Sequence, residues 1–242
     1  MLKPVTPYKH SQKSKHEQIE VMFNNIAPKY DLLNGLLSFG IDKKWRKTAV
    51  SMLSSERPKH ILDIATGTAD FAISCMKLRP TKIIGIDISA KMLAIGREKL
   101  RKLDLENHIQ LMQGNSENLP FSDNHFDAVT VAFGVRNFEN LQNGLAEIRR
   151  VLKPGGSLIV LEFSKPKKFP VKQFYAFYSN TVLPLAGKII SRDKAAYTYL
   201  PDSIKAFPAG YAFLKELEKA QFTDTIFRPL TFGITTVYKA KK

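Results

Sequence analysis

From residue 60 onward the apolar positions fall into short extended runs separated by stretches with helical spacing. His60–Ile64, Lys82–Ile86, Ile109–Gln113, Phe126–Ala132 and Ser157–Leu161 read as strands. Between them, Ala69–Leu78 reads as a helix stopped by Arg79-Pro80, and Ser89 is placed to cap a second helix running to Leu103. A third, Leu141–Leu152, sets Leu141, Leu145, Ile148 and Leu152 on one face and is ended by Lys153-Pro154-Gly155-Gly156. Strands joined by helices of this length imply a parallel sheet covered on both faces. After Glu162 the pattern changes. Residues 165–210 are rich in aromatics and prolines. A helix over Tyr211–Lys219 then leads to two strand-like runs, Phe222–Phe227 and Gly233–Tyr238, which fit an antiparallel pair at the sheet edge. The expected fold class is α/β: a Rossmann-like, seven-stranded, mostly parallel sheet.

Ligands of such sheets sit beyond the C-terminal strand ends. That rim gathers Ala65, Asp87, Gly114-Asn115, Phe133-Gly134 and Glu162. The run Ile61-Leu62-Asp63-Ile64 breaks into the small-residue loop Ala65-Thr66-Gly67-Thr68-Ala69-Asp70, and Asp87 closes the next strand. A carboxylate at that tip accepts hydrogen bonds from both hydroxyls of a ribose. The loop holds one glycine, Gly67, not the G-x-G-x-x-G that lets backbone approach a pyrophosphate. Asp63 and Asp70 at its ends would repel a pyrophosphate and suit a nucleoside bearing an ammonium and a sulfonium. S-adenosylmethionine has both. The competing reading is that the small residues only pack helix on strand, with Asp70 favouring the helix dipole; the placement of Asp87 weighs against it.

Length and composition fit one soluble domain: 242 residues, 44% hydrophobic and 24% charged. A single cysteine, Cys75, excludes an intrachain disulfide and a thiolate zinc cluster, and its apolar helical setting reads as core. The histidines show no metal-ligand spacing, so no metal is expected. No run is long and apolar enough to span a bilayer, and the N-terminus lacks a signal core. Residues 1–22 read as a basic flexible tail on a cytoplasmic protein. Charge alters this picture. Residues 1–60 carry 11 Lys and Arg against 5 Asp and Glu, residues 61–164 carry 12 against 12, and residues 165–242 carry 14 against 5. The positive excess lies in the flanks and calls for an anionic partner, a membrane surface or a nucleic acid.

Several motifs together resemble one family. Phe23-x-x-Ile26-Ala27-x-Lys29-Tyr30-Asp31-x-x-Asn34-x-x-x-Ser38-Phe39-Gly40 with Trp45, Leu62-Asp-x-Ala-Thr-Gly-Thr-Ala-Asp70, Phe133-Gly134-Val135-Arg136-Asn137, and Arg150-Val151-Leu152-Lys153-Pro154-Gly155-Gly156 with Leu161-Glu162-Phe163-Ser164-Lys165-Pro166 are similar to the ubiquinone/menaquinone biosynthesis C-methyltransferases. The sheet motifs alone would fit any class I methyltransferase; the first and last are more specific. The resemblance implies one methyltransferase domain over 23–242. Its parts are a helical lid (23–59), a cofactor-binding core (60–164), a substrate cover (165–210) and a closing helix with edge strands (211–242). It implies that Thr68 lines the methionine end of S-adenosylmethionine, that Asp87 holds the ribose, that Asn115 and Ser116 bracket the adenine, and that Ala132 contributes backbone. Asp63, Ala65 and Gly67 complete the set. Two positions depart from the family pattern. Asp42 stands where a histidine is usual, and Ala69 where the loop usually ends in glycine. The second is expected to be tolerated if the local backbone is helical.

The implied acceptor is a reduced prenylated quinone, demethylmenaquinol ahead of a ubiquinol precursor, methylated at a ring carbon. Such a carbon attacks well when the neighbouring oxygen carries negative charge. Arg136 is the candidate cation for this, Asn137 the candidate donor to the second oxygen, and Tyr30 and Asp31 candidates to close over the cofactor or accept a proton. The alternative for Arg136 is a salt bridge to Glu139 or Glu162. From Gln173 to Gly187 nothing is charged. Phe174–Tyr178 and Val182–Ala186 fit a cover over the site, with Lys165, Lys167, Lys168, Lys172 and Lys188 docking it on anionic headgroups at the inner face of the membrane. The competing reading is an ordinary buried helix. An RNA methyltransferase is the second class; the tip Ala132-Phe133-Gly134-Val135-Arg136 lacks the Asn/Asp-Pro-Pro-aromatic form used on base amino groups. A third class, a decayed binding protein, is opposed by the intact set of Asp63, Gly67, Thr68 and Asp87.

Overall fold

The computed structural model describes residues 5–166, 169–177, 181 and 194–242. Seven strands form one sheet: β1 (His60–Ile64), β2 (Lys82–Asp87), β3 (Ile109–Gln113), β4 (Phe126–Ala132), β5 (Leu152–Phe163), β6 (Thr223–Leu230) and β7 (Thr235–Lys241). Their order is β3-β2-β1-β4-β5-β7-β6. The pairings among β1 to β5 are parallel, whereas β7 runs antiparallel to both β5 and β6. The helices are α1 (Lys15–Leu37), α2 (Ile41–Ser51), α3 (Asp70–Cys75), α4 (Ala90–Lys102), α5 (Leu141–Val151), α6 (Val171–Phe177), α7 (Lys194–Ala206) and α8 (Tyr211–Lys219).

Alternate side chains of the strands serve opposite faces, as the strand period requires. On one face Leu62, Ile64, Val129, Val131, Leu158 and Val160 meet Leu145 and Ile148 of α5 and Phe213 and Leu217 of α8. On the other, Ile61, Ile83, Ala128 and Ile159 meet Trp45, Phe71, Leu93 and Leu100. Cys75 is fully buried in this second layer. The strand switch between β1 and β4 lies at the middle of the sheet, so the loops after both open on one crevice.

Four expectations need correction. Residues 15–22 are not tail. Ser14 and Glu17 form a reciprocal capping box that starts α1 at Lys15, and Ile19 and Met22 are buried against Ala196 and Tyr199 of α7. β5 begins at Leu152 rather than Ser157: the Lys153–Gly156 stretch does end α5, but Leu152 already pairs with Phe126 across an irregularity in the ladder. The two edge strands run further along the chain than expected. Finally, Ala69 is not helical; its φ of 68° is left-handed, so its methyl is carried at a position that favours glycine. Of the uncharged stretch 173–187, α6 accounts for residues up to Phe177; Tyr178 and Val182–Ala186, with Lys167, Lys168 and Lys188, lie outside the described residues.

Candidate active site

The loop after β1 is built from left-handed residues at alternate positions: Ala65, Gly67 and Ala69 have φ of 53°, 56° and 68°. Asp63 shapes it from below. Its two oxygens accept from Thr66 Oγ1 and Thr130 Oγ1, both at 2.6 Å, which ties the loop to β4. Burial pushes the Asp63 carboxyl up to about 6, with the two threonine hydroxyls pulling it back. Asp63 therefore borders the cavity as a hydrogen-bonded strut rather than as the bare charge expected of it. Gly134 must stay small, because a Cβ there would lie 2.5 Å from the Ala65 methyl.

Asp87 stands at the tip of β2. Its Oδ2 accepts from Gly67 N–H and its Oδ1 from Ser89 N–H, each at 2.8 Å. Burial pushes this carboxyl up to about 6 as well, against those backbone donors. Ile88 N–H is a third backbone donor, and the acceptor capacity that remains is what a ribose hydroxyl needs. A cavity of about 70 Å³ surrounds it, bordered by Ala65, Gly67, Asn115, Ser116 and Ala132, with His16, Ile19, Phe23, Ile88 and Met92. The Asn115 side-chain carbonyl accepts from Glu117 N–H at 2.9 Å, closing a local turn that shapes this wall.

A larger cavity, about 390 Å³, adjoins the first and shares Phe23, Tyr30, Ala65, Gly67, Ala132 and Phe133 with it. Its floor is aromatic. Phe133 and Phe163 stack at 4.4 Å between ring centres, and Trp45 meets both edge-on, its indole N–H donating to Thr231 Oγ1 at 2.7 Å. Val171 and Tyr175 of α6 and Tyr199, Leu200 and Ile204 of α7 border it.

Thr68 and Asp31 meet above the loop. Thr68 donates to Asp31 at 2.6 Å, and Lys99 Nζ reaches Thr68 Oγ1 at 2.9 Å and Asp31 and Asp70 at 2.7 Å each. Asp31 is thus a clamp that holds α1 on α4. Tyr30 borders both cavities; burial pushes its phenol upward, with a hydrogen bond to Asn34 opposing. At the β4 tip Arg136 is bound to Glu162 at 2.8 Å, with the arginine side chain 7% exposed and the glutamate fully buried. It also donates to the Phe133 carbonyl and lies over the Phe163 ring, while its Nε has no partner. The salt bridge weighed as its alternative role is present, and Arg136 still borders the larger cavity. Asn137 accepts from Tyr199 O–H at 3.1 Å.

The residues missed from sequence are those supplied by other elements: Lys99, Tyr199, Arg46, Ile88, and the first turns of α1. Lys15 Nζ donates to the Phe138 carbonyl at 2.7 Å and pins α1 to the β4 tip. The signal for Lys99 was its i+3 neighbourhood with the buried Gly96 on the inner face of α4; for Tyr199 only its place in an aromatic-rich stretch.

The donor set fits a nucleoside with a positively charged, phosphate-free tail. A match to the model of the ubiE/COQ5 methyltransferase family spans residues 11–242. The chain belongs to that family. Among ubiE/COQ5-type relatives, the chain is 50% identical over 239 residues to the demethylmenaquinone methyltransferase of Bacteroides fragilis, covering 98% of this chain and 97% of that one. It is 44% identical to that of Porphyromonas gingivalis, covering 98% of each. It is 42% identical to the ubiquinone/menaquinone biosynthesis C-methyltransferase UbiE of Geobacter sulfurreducens, covering 98% and 93%. Solved structures place the ubiE/COQ5 chain in the class I methyltransferase fold. A SAM-dependent methyltransferase from Thermotoga maritima superposes with a TM-score of 0.64 at 21% identity, covering 93% and 99%. The [4+2]-cyclase SpnF gives 0.63 at 17%, covering 94% and 96%. In this ubiE/COQ5 chain, Asp42 fills the usual histidine position by accepting from Ser38 at 2.7 Å and Arg46 at 2.6 Å.

Proposed function

We propose that this methyltransferase moves the methyl group of S-adenosylmethionine to a ring carbon of a reduced, prenylated quinone, with demethylmenaquinol as the acceptor. The observation that carries the reading is the pair of adjoining cavities. The smaller offers the Asp87 carboxylate to a ribose and the larger is walled by aromatic rings, and both meet at Tyr30, Ala65, Gly67 and Ala132. The names borne by the Bacteroides and Porphyromonas relatives favour the menaquinone substrate.

When bound, the cofactor supplies an electrophilic methyl on a positively charged sulfur. The protein contributes alignment and electrostatics. Asp87 and Gly67 fix the nucleoside end, Thr68 lines the methionine end, Asn115 and Ser116 shape the adenine wall, and the aromatic floor excludes water and orients a flat ring. Arg136 favours negative charge on the ring oxygen beside the reacting carbon. Because Glu162 balances it, the effect is that of a fixed dipole, and the pair stays in place without an unpaired buried charge. Asn137 borders the smaller cavity, and its amide donates to the Phe133 carbonyl at 3.4 Å, so it supports the β4 tip rather than reaching the second ring oxygen. Tyr30 keeps its proton at neutral pH and acts as a donor, and Asp31 holds the helix above.

The same reading includes peripheral attachment to an anionic membrane. Phe39, Phe169 and Phe232 are each at least 80% exposed, and Phe39 borders the larger cavity. Phe39 and Phe232 are also left-handed, with φ of 50° and 57°. Large aromatic surface left open to water beside the cavity supports a lipid contact. Among the described residues no helix is long and apolar enough to cross a membrane.

Deleting the gene and measuring the quinone pool by mass spectrometry tests the reaction. A demethylated menaquinone is expected to accumulate. A lighter benzoquinone would move the substrate to the ubiquinone branch. An unchanged pool, with label from the cofactor partitioning into RNA, would overturn the reading.

A further inference from the structure

Among the described residues bordering the larger cavity, the cations are Arg46 and Arg136. Arg136 is committed to Glu162 and the Phe133 carbonyl. Arg46 differs. It extends from α2 toward the loop after β1, with its side chain 12% exposed, and lies 2.6 Å from Asp42 and 3.4 Å from Asp70. Both contacts run through one nitrogen, Nη2. A guanidinium held by one arm presents its remaining N–H groups as a planar fork suited to a second carboxylate.

The cofactor proposed above carries a carboxylate on its amino-acid end. Set among Asp42, Asp63 and Asp70, all bordering the same cavity, that group would be repelled unless a cation met it. We propose that Arg46 anchors the amino-acid carboxylate of the cofactor, with Asp42 as its positioning residue. The inference rests on the S-adenosylmethionine reading and adds a subsite to it. Asp42 is one helical turn before Arg46, buried, and itself held by the Ser38 hydroxyl at 2.7 Å. The residue that departs from the family pattern is therefore the one that sets the angle of the guanidinium.

Two ligands separate the subsite from the rest of the pocket. S-adenosylhomocysteine carries the amino acid; 5′-methylthioadenosine keeps the nucleoside and the sulfur but lacks it. Calorimetry on the full chain is expected to show binding of both by the wild type. Arg46→Gln should weaken S-adenosylhomocysteine by about tenfold to a hundredfold, the scale of one charged hydrogen-bonded pair, and leave 5′-methylthioadenosine within about threefold. Because Arg46→Gln alone leaves Asp42 buried without its partner, the double variant Asp42→Asn/Arg46→Gln is measured beside it, and the same selective loss is expected. Retention of S-adenosylhomocysteine affinity in the double variant, or equal loss of both ligands, would overturn the anchor while leaving the cofactor reading intact. A wild type that binds neither ligand removes both.

Discussion

Asp87→Asn is the sharpest perturbation of the nucleoside pocket. In the wild type Gly67 N–H and Ser89 N–H each donate to one carboxylate oxygen at 2.8 Å, with Ile88 N–H as a further donor, and the acceptor capacity that remains serves the ribose. An asparagine replaces one of those oxygens with an NH₂. One backbone N–H then faces a donor, and one ribose hydroxyl loses its acceptor. A charged hydrogen bond contributes about 1.5–3 kcal/mol and an unsatisfied buried donor costs about 1–3 kcal/mol. The misplaced backbone donor destabilises free and bound protein alike, so the expected loss of S-adenosylhomocysteine affinity comes from the ribose contact and is roughly 10- to 10²-fold at neutral pH. Acidity gives a second readout. Burial raises the Asp87 carboxyl from its ordinary 3.8 to about 6 in the folded protein. A folded value above the unfolded one means that this group's contribution to stability is fully present below the ordinary carboxylate range and is lost as pH rises through about 6. The amount lost is about 3 kcal/mol, which the ligand-free protein lacks at neutral pH. Ribose hydroxyls donate to the ionised form, so ligand affinity should fall as pH drops below about 6 and proton release should accompany binding there. Asp63 rises to about 6 as well but is engaged by the threonine hydroxyls and the Ala72 backbone, away from the ribose, so the Asp87→Asn variant should flatten the acid limb of the affinity profile. Calorimetry from acidic to neutral pH reads both effects. An affinity within about threefold of wild type, or an unaltered acid limb, would refute the assignment.

Arg136→Gln should lower turnover by about 10²-fold and, by leaving Glu162 buried without its partner, destabilise the fold by about 3–5 kcal/mol in thermal denaturation. Adding Glu162→Gln should recover most of the stability without the turnover; recovery of turnover would remove the electrostatic role of Arg136. Lys99→Met removes the cation shared by Asp31, Thr68 and Asp70 and leaves Asp31 with its Thr68 bond, so amide exchange in α1 around Asp31 should accelerate while the strands stay protected; unchanged exchange would show that Lys99 does not hold α1. Phe232→Ser should weaken binding to anionic vesicles in a flotation assay at low salt, and equal flotation would exclude this residue from the lipid contact.

The sheet was legible because its signals are local. A strand buried on both faces is a short apolar run, and Ser89 is a polar cap directly before a helical pattern. Asp87 was legible for the same reason, being the end of a run at a fixed distance from a loop. What local pattern does not encode is which distant group a polar side chain meets. Lys99 looks like any helix lysine until α1 and α3 bring Asp31 and Asp70 to it. The start of α1 carried a readable Ser14-x-x-Glu17 box, but the surrounding lysines and histidines resemble a solvated tail. That segment becomes helix because Glu139 accepts from its first N–H groups and Lys15 reaches the β4 tip, contacts more than 120 residues apart. The left-handed Ala69 was hidden because alanine reads as a helix former, whereas the turn into α3 is set by tertiary packing.

The carboxylates beside the loop favour a cationic cofactor in a different way from that expected. Read from sequence, Asp63 and Asp70 were bare carboxylates awaiting a cation. In the structure Asp63 is buried and engaged by two threonine hydroxyls, and Asp70 is already paired. Yet the sign persists, because three carboxylates, Asp31, Asp42 and Asp70, are linked to only two cations, Arg46 and Lys99. The cluster is left with one excess negative charge beside the loop. S-adenosylmethionine, with a sulfonium, an ammonium and a carboxylate, carries one excess positive charge. A dinucleotide would bring two phosphates to the same place and add repulsion to a site whose cations are already engaged. Selectivity for a cationic nucleoside thus resides in the balance of a paired network. Removing one of its cations should alter which ligand is preferred, as well as how tightly any one is held.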